Sequence, residues 1–172
     1  MPRFITNQDK LLADVLENYI PNSKQLDFLV GYFYFSGFNG IYKGIKNHKL
    51  RILVGMEADV TVNNAIRVWT EQDPNSTNFV QSIEKTQIQY QDNTIKVLNK
   101  ANEIDTKEGE ESFRFFIEKL ENGTLEVRKT KEPAHAKMYV FINSDDHNEN
   151  GEYPGKVLVG SSNLSFHGLQ NF

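Results

Sequence analysis

His135 and Lys137 stand two positions apart at the start of an apolar, β-branched and aromatic run, Ala136-Lys137-Met138-Tyr139-Val140-Phe141-Ile142. An imidazole supplies a nucleophilic or proton-carrying nitrogen and an ammonium supplies a fixed positive charge, a combination suited to attack on a charged phosphodiester. Strand side chains alternate between faces, so period two puts His135, Lys137 and Tyr139 on one face. The next short run, Lys156-Val157-Leu158-Val159, ends in Gly160-Ser161-Ser162-Asn163-Leu164-Ser165. Its small residues turn a backbone sharply and expose hydroxyls, an amide and N–H groups together. Paired as a hairpin, the two runs would bring a nucleophile, a charge and neutral donors to one edge of a sheet.

The pattern resembles the phospholipase D superfamily, whose signature is His-x-Lys-x4-Asp followed by Gly-Ser-x-Asn. His135 and Lys137 match the first part, and Gly160, Ser161 and Asn163 the second. The motif's Asp position holds Ile142, and residues 143–155 make a longer hairpin tip than the family's usual one, with Asp145 and Asp146 as the carboxylates that could stand in. Chains without the Asp are similar to the nuclease-type members, including metal-independent restriction endonucleases and the nuclease-like domains that precede helicase motors in bacterial proteins. Upstream, Leu29-Val30-Gly31-Tyr32-Phe33-Tyr34-Phe35-Ser36-Gly37-Phe38 and Arg51-Ile52-Leu53-Val54-Gly55-Met56 look like the first two strands of those helicase-linked domains.

The resemblance implies an α/β fold with a phospholipase D-like mixed β-sheet flanked by helices on both faces. It also implies a mechanism. His135 would form a phosphohistidine, a second histidine would protonate the departing oxygen, and Lys137 and Asn163, with Ser161 or Ser162, would stabilise the developing charge without a metal or other cofactor. Because the chain holds a single His-x-Lys, two copies would have to face each other, each lending one His135 to a shared site. His48, His147 and His167 are the other histidines, and His167, close to Asn163, is the internal rival. Gly160 and Ser162 belong to the substrate-binding set, and Arg128, Lys129 and Lys131, just before His135, could guide a phosphate or simply form an exposed strand end.

With 172 residues the chain has room for one domain, 1–172, and not for a motor as well. The resembling family continues with another strand and helix, so an N-terminal part of a longer, helicase-containing protein is expected. The absence of cysteine removes disulfides and cysteine metal sites, and no run has membrane-spanning length, which makes a cytoplasmic, soluble protein without a membrane partner the expectation. The net charge of −4 is opposite to the basic footprint of an autonomous nucleic-acid binder. No spaced His/Asp/Glu set suggests zinc or magnesium, and no Gly-x4-Gly-Lys-Ser/Thr suggests a nucleotide loop.

The elements that must position these groups follow from periodicity. A capped helix runs from Thr6-Asn7-Gln8-Asp9 to Pro21, and Gln25 to Phe35 reads as a central strand covered on both faces. Ser36-Gly37 breaks that strand, helical spacing continues through Ile45, and Leu50 to Val54 is a second strand joined by a parallel crossover. Helices are expected over Asp59–Gln72, carrying Trp69, over the polar stretch from Phe79 to Ile104, and over Ser112–Leu120. Asp105 to Glu111 reads as a loop and Thr124 to Arg128 as a strand leading into the site.

Two functional classes follow. The first is a metal-independent phosphodiesterase acting on DNA as a homodimer, attached to a helicase. The second is a non-catalytic dimerisation or nucleic-acid-docking module that keeps the fold. Phospholipid hydrolysis shares the chemistry but calls for an apolar groove or membrane-facing element, and the sequence offers no clear one.

Overall fold

The longest apolar run, Ser23–Phe33, forms β1, the central strand of a five-stranded mixed sheet. This computed structural model describes residues 11–72, 106–144 and 154–170. Before β1 come the helix α1 (Leu12–Tyr19) and a short 3-10 turn, Ile20–Asn22. After it come α2 (Phe35–Ile41), β2 (Lys49–Ala58), α3 (Val60–Gln72), α4 (Lys107–Glu121), β3 (Leu125–Lys129), β4 (Lys137–Asn143), β5 (Gly155–Gly160) and α5 (Phe166–Gln170). The sheet order is β3-β2-β1-β4-β5. β1 and β2 pair in parallel, as do β2 and β3, whereas β4 runs antiparallel to β1 and to β5.

The expected crossover and the expected hairpin are therefore both present. Their combination gathers the carboxyl ends of β1, β2, β3 and β5 and the amino end of β4 along a single edge.

Alternation decides which face is core. Leu26, Phe28 and Val30 of β1, Leu50, Ile52 and Val54 of β2, and Tyr139 and Phe141 of β4 are buried with Leu16, Phe38, Val62 and Phe116 of the helices. Aromatic edges fill the layer, with Phe38 against Phe116 at 4.8 Å and Phe28 against Tyr139 at 4.9 Å. Each such ring contributes about 1.5–3 kcal/mol on burial.

The opposite face is only partly covered by the described residues. Among the described residues, Leu53, Met138, Val157 and Val159 on that face are exposed, and Asp27, Leu29 and Val140 are only half-buried. A groove of about 330 Å³ runs there, crossed by ion pairs between Arg51 and Asp27 and between Arg128 and Glu126. The described core thus lies on one side of the sheet. No described helix is long and apolar enough to cross a membrane.

Several boundaries move for local reasons. Phe35 opens α2 instead of closing the strand, and Ser36-Gly37 lies inside that helix. Asp59 holds the junction: its carboxylate accepts the Phe35 N–H at 2.7 Å and the Val62 N–H at 2.8 Å, so one side chain satisfies donors at the starts of both α2 and α3. Burial pushes the Asp59 pKa up while these amides pull it back. Thr106 accepts the Gly109 N–H at 3.0 Å, and Glu108 and Glu110 sit in the first turn of α4, so most of the expected loop over 105–111 is helix. The Phe79–Ile104 stretch, Thr6–Lys10 and the Asp145–Tyr153 tip lie outside the described residues, and at Trp69 only the helical backbone is described.

Candidate active site

The chain leaves β3, crosses above the end of β2 and enters β4 carrying His135. Thr130 N–H donates to the Val54 carbonyl at 3.0 Å and Ala134 N–H to the Gly55 carbonyl at 2.9 Å, which pins this crossing to the strand beneath. A Cβ built at Gly55 would fall 1.9 Å from the Ala134 carbonyl oxygen, so the crossing needs glycine there.

His135 lies just before β4 and is exposed, whereas Lys137 is only 3% exposed. Lys137 sits directly opposite Gly160 in the β4–β5 ladder, so the two halves of the motif are held by strand register. Its Nζ lies 2.8 Å from His135 Nε2 and donates to the His135 carbonyl at 2.8 Å. An ammonium has only donors, so Nε2 is the acceptor in this contact. Burial pushes the Lys137 pKa down. Two of its three N–H bonds are directed at His135, which leaves a third for an anionic oxygen.

Asn163 follows β5 and reaches back to β1. Its Oδ1 accepts the Tyr32 N–H at 2.9 Å. This fixes which end of the amide is which, and the NH₂ becomes the group available to a ligand. Next to it the Leu164 carbonyl accepts the Tyr34 N–H at 3.0 Å, and Leu164 bridges to Phe33. The turn is thus docked along the last residues of β1.

Gly31 is the floor beneath these groups. A Cβ placed there would lie 3.0 Å from His135 Cδ2, 3.3 Å from Asn163 Oδ1 and 3.4 Å from Lys137 Nζ. The three side chains therefore converge on the space that a larger residue would fill.

The remaining candidates separate. Ser161 is exposed on the turn, and Ser162 uses its carbonyl to accept the Tyr139 O–H at 2.8 Å. Tyr139 is buried and its pKa is pushed far up by burial, which makes it an anchor for the turn and no proton carrier. Lys129 and Lys131 are exposed at the end of β3 and in the loop after it. Arg128 is on the other face of the sheet, where strand alternation sends it to Glu126 and the open groove.

His48 precedes β2 at the amino end, seven residues before Gly55 and so roughly 20 Å from the site edge. Its carbonyl receives the buried Lys119 Nζ at 2.7 Å, and burial, helped by that charge, pushes its pKa down. His167 lies in α5 with its ring edge-on to Phe166 at 5.7 Å. His147 lies outside the described residues. Ile142 is at the far end of β4, paired with Gln25, roughly 16 Å along the strand from Lys137. The departure from the motif at Ile142 leaves the converging groups untouched.

Sequence reasoning missed Gly31, Tyr32, Tyr34 and Gly55. The Tyr32 ring stands edge-on to His135 at 6.0 Å and continues to Tyr34 at 6.5 Å. The signal was present: the two tyrosines alternate with the fully buried Phe33, so they share the face away from it. Among the described residues no three His, Asp or Glu side chains are placed so that they could hold a metal ion. Comparison with protein families, with characterised proteins and with solved structures finds no match.

Proposed function

We propose that this is a phospholipase D-like domain, a metal-independent phosphodiesterase of nuclease type that cleaves DNA through a covalent phosphohistidine on His135. The observation that carries this reading is the convergence of His135 Nε2, Lys137 Nζ and the Asn163 amide over Gly31. A phosphate seated there would meet cationic and neutral donors for its equatorial oxygens, and as Lys137 Nζ turns to those oxygens it releases the Nε2 lone pair for attack.

In the first step Nε2 attacks phosphorus, the P–N bond forms, the bond to the leaving oxygen breaks, and a histidine acid gives that alkoxide its proton. In the second step the now neutral histidine takes a proton from water, the hydroxide attacks phosphorus, and the P–N bond breaks to restore His135. His48 is too far away to be that second histidine, and His167, exposed in α5 beside Phe166, is the candidate within the chain. Two copies meeting at this edge would supply it as the His135 of a second copy, making the active form a homodimer. Attachment to a helicase motor in a longer chain and a cytoplasmic setting complete the proposal.

The test is cleavage of labelled single- and double-stranded DNA in excess EDTA by the wild-type protein and by His135→Ala. Cleavage that survives chelation and disappears in the folded variant is the expected result. Binding without cleavage in both proteins would replace the enzyme with a docking module.

A further inference from the structure

The sheet edge that carries the candidate site also carries uncovered aromatic surface. Tyr34 is 41% exposed and Phe166 48% exposed, unlike the fully buried Phe33 and Phe35 on either side of Tyr34. Neither is loosely attached. The Tyr34 N–H is held by the Leu164 carbonyl at 3.0 Å, and the Phe166 N–H donates to Ser36 Oγ at 3.3 Å, so the turn after Asn163 carries Phe166 back to the residues that follow Tyr34. The rings begin at the nucleophile itself, with Tyr32 edge-on to His135 at 6.0 Å and tilted by 33° against Tyr34 at 6.5 Å. Asn163 fixes this line, since it binds the Tyr32 N–H while converging with His135 and Lys137.

We infer that Tyr32 and Tyr34 form a stacking shelf for unpaired bases, with Phe166 as a further exposed ring on the neighbouring turn, and that the substrate is single-stranded DNA. This rests on the phosphodiesterase reading for the place of the phosphate at His135. A strand whose phosphate lies at His135 extends its adjoining sugar and base over the tyrosines. Every nucleobase has a π-face, so such a shelf holds a strand without reading its sequence. In a duplex those faces are covered by neighbouring base pairs and cannot reach a ring on a protein surface. The shelf therefore selects against duplex without a clash. It also offsets the chain's net charge of −4, because stacking supplies binding that a generally basic surface would otherwise have to provide.

The experiment uses His135→Asn, which lacks the attacking nitrogen and so should not turn over, and a short oligonucleotide carrying 2-aminopurine, whose fluorescence is quenched on stacking. The single strand should bind with quenching, and the same sequence as a duplex should bind more weakly and without it. Adding Tyr34→Ala should weaken single-strand binding at least about fivefold and remove most of the quenching, whereas Tyr34→Trp should keep both. Equal binding by Tyr34→Ala, binding without quenching, equal affinity for duplex, or no binding overturns the shelf. Cleavage by the wild-type protein is scored separately. His135-dependent cleavage that treats duplex and single strand alike, unchanged by Tyr34→Ala, removes the shelf and keeps the phosphodiesterase. Quenched, Tyr34-dependent binding without any His135-dependent cleavage keeps the shelf and removes the enzyme.

Discussion

Lys137 Nζ lies 2.8 Å from His135 Nε2 and 2.8 Å from the His135 carbonyl oxygen, so the ammonium of one buried side chain sets both the backbone and the ring of the residue two positions before it. The strand that carries Lys137 is locked between β1 and β5. The exposed histidine thereby inherits the rigidity of the sheet.

Replacing Lys137 with Met should lower kcat by about 10²–10³-fold through loss of a transition-state donor, with the fold retained. The pH profile gives a second check. Burial holds the Lys137 pKa below the ordinary lysine value of 10.5, so the donating, charged form is lost earlier on the alkaline side than at an exposed lysine. Activity should decline as the pH rises, with the decline setting in before pH 10.5, and the residual activity of Lys137→Met should lack that alkaline limb. Stability moves the other way. Between the folded and the unfolded value the unfolded chain binds more protons at this residue, so the Lys137 contribution to folding stability rises with pH. The difference in denaturant midpoint between the wild-type protein and Lys137→Met across the same range checks that sign, since the buried Tyr139 acts the other way in both proteins.

Asn163→Asp keeps an oxygen for the Tyr32 N–H but replaces the donating amide with a negative charge facing the phosphate. The expected outcome is a folded protein with cleavage reduced by at least about 10²-fold, measured beside an unchanged circular dichroism spectrum.

Gly31→Ala introduces a methyl 3.0 Å from His135 Cδ2 and 3.4 Å from Lys137 Nζ, so the neighbours must move by a few tenths of an ångström. Turnover should fall about tenfold or more with a small change in Tm, because positioning is more sensitive than packing. Gly55→Ala meets backbone at 1.9 Å and should displace the crossing that carries His135, with a larger loss of both activity and stability.

Asp59 takes no part in the chemistry and tests the scaffold. Asp59→Ala leaves the Phe35 and Val62 amides without their acceptor, which should cost about 1–3 kcal/mol in a urea titration. Asp59→Asn, which keeps one acceptor, should lose less.

Strand identity was legible wherever alternation and β-branching agreed, and this is why β1 to β5 and the approach of His135, Lys137 and Asn163 to one another follow from the sequence. The limits of that reading are local. Phe35 looks like strand by composition, but Asp59, 24 residues away, recruits its amide into a helix start. Gly109 looks like a loop residue, yet the Thr106 cap and the acidic first turn carry α4 through it. Arg128 looks like a partner of Lys129 and Lys131, but alternation along β3 sends it to the far face. The floor at Gly31 could not be read at all, since it depends on three residues more than 100 positions away in the chain meeting above one missing side chain.

The most direct measurement is intact-mass and peptide mass spectrometry of the protein quenched, without acid, during turnover of a DNA strand in excess EDTA. The expected product is a DNA fragment joined to the peptide that carries His135, acid-labile as a P–N bond is, and lost together with cleavage in His135→Ala. Cleavage that persists in His135→Ala, or a folded wild-type protein that yields neither adduct nor cleaved product on any DNA, would contradict it.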